Sequence, residues 1–228
     1  MKILYPMRST PWGGGNQFLK ALNSFLIEQP HESPTVLINS HHIVLSWSLI
    51  QSLFSPSSRI IHRVDGPISL VRGYDSFLDT IICLLSSKIA DGVVFQSEWS
   101  KNSSRKFFSK FIYLRFNRVI LNGVDPSIFY PDDQHCMLRS QQITFINTSW
   151  SSSQRKGSSL FFKLALHPSL KSCNFVFIGN TASYVASPNL SVLKPMNSID
   201  LSKYLRSANI YVTFSRDDPC SNSLLEAI

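Results

Sequence analysis

Residues 74–108 read YDSFLDTIICLLSSKIADGVVFQSEWSKNSSRKFF, and this stretch contains the pattern on which the predicted fold depends. Amphipathic sequence predicts one helix over Tyr74–Ala90 and another over Glu98–Phe108. The short apolar run Gly92–Gln96 between them predicts a buried strand. Alternating strands and helices require crossover connections, so the pattern favours a mostly parallel sheet covered by helices.

The same alternation extends over most of the chain. Before residue 122 it predicts further strands and helices at Lys2–Pro6, Asn16–Glu28, Thr35–Asn39, Ile43–Phe54, Arg59–Val64 and Arg118–Leu121. After residue 140 it predicts strands at Ile143–Thr148, Phe175–Gly179, Leu190–Leu193 and Ile210–Phe214, with helices at Ser158–Leu166, Ile199–Ala208 and from Asn222 onward. We therefore predict an α/β chain with two units in tandem, the second with fewer strands than a doubly wound domain needs.

The stretch between residues 122 and 140 interrupts this alternation. It contains Gly123, Pro126, Pro131 and the acidic pair Asp132–Asp133, with few apolar residues after Tyr130. Such composition is typical of a linker. The predicted organisation is an N-terminal domain over residues 1–124, a linker over 125–140 and a partial C-terminal domain over 141–228.

Composition excludes some classes of protein and favours others. Of the 228 residues, 43% are hydrophobic and 16% are charged, which is typical of a globular chain and not of a disordered one. The net charge of +8 favours an acidic partner, namely a nucleotide phosphate, a nucleic acid or an anionic membrane surface. The four cysteines are scattered without metal-ligand spacing, which is typical of reduced thiols in a cytoplasmic protein. Charged residues interrupt the most lipid-like stretch, Phe77–Phe95, so no transmembrane helix is predicted.

A basic cluster bears on the choice among acidic partners. A solvated helix face is its ordinary interpretation, and attraction to anionic headgroups on the inner face of the membrane is the alternative. Nucleic acid is not expected as a partner, because no recognised binding motif accompanies the cluster. The cluster consists of Lys101, Arg105, Lys106, Lys110, Arg115 and Arg118.

Glycines follow the first predicted strand and precede the first helix. Gly13, Gly14 and Gly15 would let the backbone approach a ligand closely, with the positive end of the helix toward an anion. The alternative is a flexible loop. A nicotinamide-binding fingerprint does not fit, because Phe18 occupies the position of its last glycine.

The run IIHRVDGP over residues 60–67 places three polar side chains at the carboxyl end of a strand. Ligands of open α/β sheets bind outside such ends. Alternation along the strand directs Arg63 and Asp65 to one side and His62 to the other. Asp65 is the better catalytic candidate, with an Asx-turn residue as its alternative role. His62 is the second candidate, with a buried sheet histidine as its alternative.

Two segments of the second half carry groups suited to a nucleotide ligand. Arg155 and Lys156 stand before a predicted helix, where cations favour a phosphate, although an exposed loop is the alternative. The segment DDPCSNSLLEA over residues 217–227 lies between a strand and a helix. Its carboxylates Asp218 and Glu226 suit hydrogen bonds from sugar hydroxyls, while two carboxylates without a ligand are the alternative.

With these segments the chain resembles the retaining glycosyltransferases of family 4, which have the GT-B fold of two Rossmann-like domains. The similarity runs through nearly the whole chain, and the combination of its motifs is specific although each alone is weak. The matching pieces are the first strand with GGG, HRVDGP over 62–67, ADGVVFQSEWSK over 90–101, VILNGVDPSIFYP over 119–131, RKG over 155–157 and DDPCSNSLLEA over 217–227.

The resemblance implies a function and its partners. Members of the family transfer a sugar from a nucleotide-diphosphate donor to an acceptor and require neither a metal nor another cofactor. We therefore expect a UDP- or GDP-sugar donor and a glycan or lipid-linked acceptor. The N-terminal domain is expected to carry the acceptor and the C-terminal domain the donor. A non-catalytic protein that binds nucleotide sugars or a partner is the alternative.

The resemblance also implies roles for individual residues. Gly14 and Gly15 would lie beside the donor phosphates and the acceptor. Lys156 would counter the charge of the leaving diphosphate. Asp218 would contact the transferred sugar and Glu226 the ribose hydroxyls. Backbone near the start of the last helix would meet phosphate oxygens. This backbone belongs to Asn222 and Ser223.

Four departures from the family pattern affect these expectations. Ser151 stands where the family has an arginine, so Arg155 is the substitute to consider. Asp65 stands where the family has a histidine, and His62 is the alternative in a shifted register. Asp218 is one methylene shorter than the usual glutamate. Family members continue past the position of Ile228, so we expect the 228-residue chain to be marginally stable or inactive unless a partner supplies the remainder.

Overall fold

The computed structural model describes residues 2–4, 14–28, 35–45, 59–74, 76–108, 116–131 and 142–228. The predictions for Gly13, Lys110, Arg115, most of the helix predicted at Ile43–Phe54 and positions 132–140 of the predicted linker lie outside the described residues. The chain divides into two compact units. The first is formed mainly by Gly15–Asn122 and includes Asp217–Cys220, and the second mainly by Gly123–Arg216 and Ser221–Ile228.

The first unit contains, within the described ranges, a five-stranded parallel sheet in the order β1-β2-β3-β4-β5. Its strands are β1 (Lys2–Leu4), β2 (Thr35–Asn39), β3 (Arg59–Val64), β4 (Gly92–Phe95) and β5 (Asn117–Val119). Its helices are α1 (Gly14–Glu28), α2 (His42–Leu45), α3 (Ile68–Arg72), α4 (Ser76–Ile89) and α5 (Glu98–Phe108).

The parallel register brings the carboxyl ends of these strands to one edge. Ile38 of β2 lies beside His62 of β3, which in turn lies beside Val93 of β4. The residues that follow β2 to β5 are therefore neighbours, although they are far apart in the sequence. This is the edge at which open α/β sheets bind ligands.

Aliphatic side chains from strands and helices form the core of the first unit. Ile38 and Ile60 of the sheet pack with Ile43, Ile68 and Ile82 of the helices, and all five are buried. Complete burial of one such side chain contributes about 1.5–3 kcal/mol. A neighbouring cluster consists of Val64, Cys83, Val93 and Phe95. Burial raises the pKa of the Cys83 thiol to about 12, so this cysteine acts as an apolar core residue.

The second unit contains, among its described residues, a four-stranded parallel sheet in the order β8-β7-β6-β9. Its strands are β6 (Thr144–Ser149), β7 (Asn174–Gly179), β8 (Leu190–Leu193) and β9 (Ile210–Tyr211). Its α-helices are α6 (Ser158–Ala165), α7 (Ser198–Ser207) and α8 (Asn222–Ala227), with 3-10 turns at Gln154–Lys156 and Pro168–Leu170.

Phenylalanine rings fill one face of the second sheet. Phe161 and Phe162 of α6 pack on Phe175 and Phe177 of β7, and all four are buried. The Phe161 and Phe175 ring centroids lie 5.6 Å apart in an edge-to-face arrangement. Phe145 of β6 stacks on Phe175 with centroids 4.9 Å apart. Edge-to-face and offset-stacked rings are favourable arrangements, so aromatic packing fixes α6 on the sheet.

The predicted parallel α/β architecture is confirmed, whereas some element bounds differ. Residues 68–72 form α3, which was not predicted, and Gly73 ends it with a left-handed φ of 85°. The helix predicted from Tyr74 therefore begins at Ser76. The strand predicted over Ile210–Phe214 pairs only at Ile210–Tyr211. Among the described residues, each helix is too short or too polar to cross a bilayer.

Gly179 at the end of β7 gives a test of the second sheet. Its φ is +151°, and an added Cβ would lie 1.8 Å from the backbone oxygen of Ser149 on β6. Gly179→Ala must therefore separate the two strand ends, and we expect the free energy of unfolding to fall by about 3 kcal/mol or more. Urea unfolding followed by circular dichroism measures this change.

Gly123→Ala is the matched control, since a Cβ there would meet no atom within 4 Å among the described residues. We expect a change of less than about 1 kcal/mol for this variant. Equal stability of the Gly179→Ala and wild-type chains would contradict the described pairing of β6 with β7.

Candidate functional site

A buried arginine lies at the carboxyl edge of the first sheet. Arg63 is the penultimate residue of β3, and its side chain is only 2% exposed. The guanidinium carbon lies 4.2 Å from the centroid of the Phe18 ring, which covers it from α1. Removing a full charge from water costs several kcal/mol unless hydrogen bonds and an opposite charge compensate for it.

That compensation comes from four oxygen atoms. Nη1 donates to Oδ1 of Asn39 at 2.8 Å and to Oδ1 of Asp65. Nη2 donates to Oε1 of Gln96 and to Oδ1 of Asn122, each at 2.8 Å. Asn39 ends β2, Asp65 follows β3, Gln96 follows β4 and Asn122 comes three residues after β5. One guanidinium thus connects the carboxyl ends of four strands at the edge of the sheet. We call Arg63 and these four partners the Arg63 network.

Asp65 is held from two directions within this network. Arg63 donates to its carboxylate, while Nε2 of Gln96 donates to its backbone oxygen at 2.8 Å. Gln96 is itself fixed, because its Oε1 accepts from Arg63 and from Nδ2 of Asn122. The Asp65 side chain is 32% exposed. Among the described residues, no hydrogen bond reaches its second oxygen, Oδ2, so this atom can accept one from a ligand.

The turn after Asp65 is fixed as well. Gly66 has a φ of +120°, and an added Cβ would lie 3.0 Å from the ring of Trp99. Further along, the buried carboxylate of Asp79 accepts hydrogen bonds from the backbone N–H groups of Ile68 and Ser69. These bonds satisfy the amino end of α3 and keep the turn in place. The backbone of Asp65 is therefore constrained on both sides.

His62 points away from Asp65, as the strand alternation predicts. Its ring is fully buried, with Nδ1 2.9 Å from the Ser86 hydroxyl and Nε2 2.9 Å from the backbone oxygen of Ser40. Since a carbonyl only accepts, Nε2 carries the proton and Nδ1 accepts from Ser86. Burial lowers the pKa of His62 to about 4, so the ring is neutral. Of the two roles considered for His62, this geometry favours the buried sheet histidine.

Two of the three glycines open a helix instead of forming a loop. Gly14 and Gly15 are the first two residues of α1. An added Cβ at Gly15 would lie 3.5 Å from Nδ2 of Asn39, so the first turn of α1 lies beside the Arg63 network. The predicted approach of this backbone to a ligand stays a prediction.

In the second unit, Arg155 and Lys156 belong to a well-supported turn. They lie in the 3-10 turn after β6, where the Ser153 side chain accepts from the Arg155 backbone N–H. The backbone oxygen of Arg155 accepts from Arg216 N–H at 2.8 Å. Gly157 follows with a φ of +72° and packs so closely that an added Cβ would lie 2.5 Å from Phe214. Both cations are thus carried by a backbone with little freedom.

Glu226 lies in the last helix, which begins as predicted. Ser221 is the N-cap and its side chain accepts from the Leu224 N–H, while Asn222 and Ser223 are the first two helical residues. Burial raises the pKa of Glu226 to about 7. A carboxyl in this state is close to half ionised at neutral pH.

Asp218 lies in the segment Asp217–Cys220, which groups with the first unit, whereas Glu226 groups with the second. Asp218 is half-buried, and Asp217 before it has a left-handed φ of 52°. Aspartate is one of the few non-glycine residues that adopt this conformation with some frequency, mostly in turns. In the described parts of the chain, no group of three or more His, Cys, Asp or Glu side chains is arranged to hold a metal ion.

Four residues of the Arg63 network are not among the site residues predicted from the sequence. The sequence contains a signal for them. Apart from the first strand, each strand predicted before residue 122 ends in or near a polar side chain. In a parallel sheet such side chains must meet at one edge. These residues are Asn39, Arg63, Gln96 and Asn122.

Comparison with known proteins gives a fold. No family model and no curated protein matches the chain. Solved structures do match. Sucrose-phosphate synthase from Thermosynechococcus elongatus has a TM-score of 0.66 at 17% identity, over 92% of this chain and 57% of that chain. An E. coli structure described as trehalose-6-phosphate bound with UDP-2-fluoro glucose has a TM-score of 0.61 at 12% identity, over 96% and 61%.

The catalytic domain of starch synthase IV from Arabidopsis thaliana, bound to ADP and acarbose, is a third match. Its TM-score is 0.59 at 13% identity, over 96% of this chain and 61% of that chain. These similarities confirm the predicted fold class, the GT-B fold of glycosyltransferases. The chain spans 57–61% of the length of these three solved structures.

The burial of Arg63 gives a stability prediction. Arg63→Met removes the cation and takes one donor from the Asp65 carboxylate and from each of three amide oxygens, so we expect the free energy of unfolding to fall by about 3 kcal/mol or more. Arg59→Met is the control. Arg59 is 74% exposed and pairs with Asp91 at the surface, where loss of an ion pair costs at most about 1 kcal/mol. Similar urea midpoints for the two variants would contradict the Arg63 network.

The raised pKa of Glu226 gives a pH prediction. Between pH 4.5 and about 7 the carboxyl is protonated in the folded state and ionised in the unfolded state. The folded state then binds more protons, so stability falls as pH rises through this window and levels off above it. Glu226→Gln lacks this loss. We expect the variant to match the wild type near pH 4 and to be more stable at pH 8, by up to about 3 kcal/mol.

Urea unfolding at pH 4, 6 and 8 measures the difference. Glu98→Gln, a change of an exposed carboxyl in the first turn of α5, is the control, with an expected change below about 1 kcal/mol at each pH. A constant difference between the Glu226→Gln and wild-type chains at all three pH values would show that Glu226 ionises normally.

Proposed function

We propose that the chain is a retaining glycosyltransferase of family 4 that transfers a sugar from a UDP- or GDP-sugar to a hydroxyl of a glycan or lipid-linked acceptor. The observation that carries the proposal is the match to glycosyltransferase structures over 90% or more of this chain. Two of the matched structures hold UDP-2-fluoro glucose or ADP. The specific motif combination that ends in DDPCSNSLLEA supports the family.

The proposed reaction exchanges one bond at the sugar for another. The bond between the anomeric carbon and the diphosphate oxygen breaks, and its electron pair leaves with the nucleoside diphosphate. The acceptor oxygen forms a new bond to the same carbon on the same face and loses its proton. Stabilising the leaving diphosphate, which gains negative charge, is the main electrostatic task.

Lys156 and Arg155 are proposed for that task. Both are half-buried on a rigid turn, where charges interact more strongly with a ligand than freely moving surface charges do. Arg155 would take the place of the family arginine at position 151. With two cations on the leaving group, the proposal requires no metal and no other cofactor.

Carboxylates and a helix start complete the proposed donor site. Glu226 would accept hydrogen bonds from the ribose hydroxyls, and Asp218 would contact the transferred sugar. Asn222 and Ser223 would lie next to the phosphates. In the first unit, Asp65 would contact the acceptor and the α1 glycines would lie nearby. We assign the chemistry there to Asp65 and not to His62, because the His62 ring is fully buried.

Nucleotide binding tests the proposal directly. Calorimetric titration with UDP and with GDP should show binding of one or both by the wild-type chain. Lys156→Ala should weaken the affinity about tenfold or more, since a cation–phosphate contact contributes about 1.4 kcal/mol or more. Lys171→Ala, a change of an exposed lysine in the same unit, should leave the affinity within about twofold.

A product assay with the matching sugar nucleotide then separates the enzyme from its alternative. Binding with sugar transfer supports the glycosyltransferase. Binding without transfer identifies a nucleotide-sugar-binding protein. Absence of binding, or equal affinities of the wild-type and Lys156→Ala chains, contradicts the proposed donor site.

A further inference from the structure

The Arg63 network does more than fill the interior of the first unit. Apolar side chains in place of Arg63 and all its polar partners would avoid the desolvation of these groups, and replacement of a complete buried ion pair in this way is often neutral or stabilising. The arginine is therefore not explained by stability alone. Its planar fork can direct several acceptors in fixed directions, which an apolar side chain cannot do.

The hydrogen bonds of Arg63 fix one residue, Asp65, both directly and through Gln96. Its Nη1 bonds Oδ1 of Asp65, and its Nη2 bonds Gln96, whose Nε2 in turn bonds the Asp65 backbone oxygen. Nδ2 of Asn122 also donates to Oε1 of Gln96. Asp65 is the partly exposed carboxylate of this network, at 32%, while Arg63 is 2% exposed. Arg63 thus fixes both the side chain and the main chain of the residue that can face a ligand.

We propose that Arg63 is a positioning residue that holds the Asp65 carboxylate in place for sugar transfer, an inference that rests on the proposed function. Arg63 does not touch the substrate. Asp65 receives the acceptor hydroxyl on Oδ2, the oxygen that no described residue bonds. Fixing a carboxylate before the substrate arrives removes the entropic cost of ordering it in the transition state.

The step at Asp65 is a proton transfer coupled to group transfer. The acceptor O–H bond breaks as the oxygen forms its bond to the anomeric carbon. The proton goes to Oδ2 of Asp65, and the electron pair of the broken sugar–phosphate bond leaves with the diphosphate. Release of the proton to solvent restores the carboxylate. Misplacement of Oδ2 by about 1 Å can cost up to a hundredfold in rate, because proton transfer needs a short hydrogen bond.

Variants of both partners test this inference in the full chain. Release of UDP from UDP-glucose and of GDP from GDP-mannose, with methyl glucoside as acceptor, reports the reaction. Arg63→Lys keeps a cation but loses the fork, and Asp65→Asn keeps the size but not the charge. We expect each to lower kcat at least tenfold while the donor KM stays within twofold. Arg59→Lys, a change of an exposed residue, should keep kcat within twofold.

Coupling between the two positions distinguishes positioning from a general loss of structure. If Arg63 acts through Asp65, the double variant is no slower than the slower single variant. If the rate losses multiply, the two residues act independently and the inference is wrong. Full kcat in Arg63→Lys would also overturn it.

Asp65→Glu covers the case in which Arg63→Lys does not fold. It keeps the carboxylate and Arg63 but moves the oxygens by one methylene at a partly exposed position. We expect a kcat loss of at least tenfold with a melting temperature within a few degrees of the wild type. Full kcat in this variant would show that the position of the carboxylate is unimportant and would overturn the inference.

Failure of the proposed function gives a different result. A wild-type chain that binds UDP or GDP but releases none from the sugar nucleotides would overturn the role of Arg63 and leave the nucleotide site intact. A wild-type chain that binds neither nucleotide would overturn the proposed function, and the inference with it.

Discussion

Burial of the Arg63 guanidinium is the interaction on which the carboxyl edge of the first sheet depends. A cation that is 2% exposed stays charged only if the protein replaces the hydrogen bonds of water. Four oxygens do so, and they come from residues at or just after the carboxyl ends of four different strands. The requirement is collective, since moving any one loop leaves a buried donor unsatisfied. The edge is therefore fixed before any ligand binds.

Sequence pattern was sufficient to predict the fold because α/β alternation restricts topology so strongly. Apolar runs separated by amphipathic helices leave parallel sheets as the main solution, and both sheets are parallel. Helix α3, which was not predicted, shows the limit of prediction from periodicity. Residues 68–72 form little more than one turn, stabilised by the carboxylate of Asp79 from the next helix. A short helix held by a tertiary hydrogen bond has too little periodicity to be recognised.

Only the part of the site formed by residues close together in the sequence was predictable. Alternation along β3 correctly separated His62 from Arg63 and Asp65, because it depends only on neighbouring residues. The partners of Arg63 lie 24 positions away at Asn39 and 59 at Asn122. Nothing local distinguishes such an amide from one exposed at a loop. Only the strand order and register bring these side chains together.

Arg63 and Glu226 show two outcomes of burying an ionisable group. The Arg63 charge is compensated inside the protein, and within the network Asp65 is the partly exposed carboxylate. At Glu226, burial is the cause of a pKa near 7, and no cation in the described parts of the chain contributes to it. The cost of ionising that carboxyl therefore falls on whatever ligand supplies hydrogen-bond donors. A buried charge with compensating partners, such as Arg63, suits the positioning of a neighbouring side chain. A carboxyl whose pKa is raised by burial, such as Glu226, suits the recognition of hydroxyls.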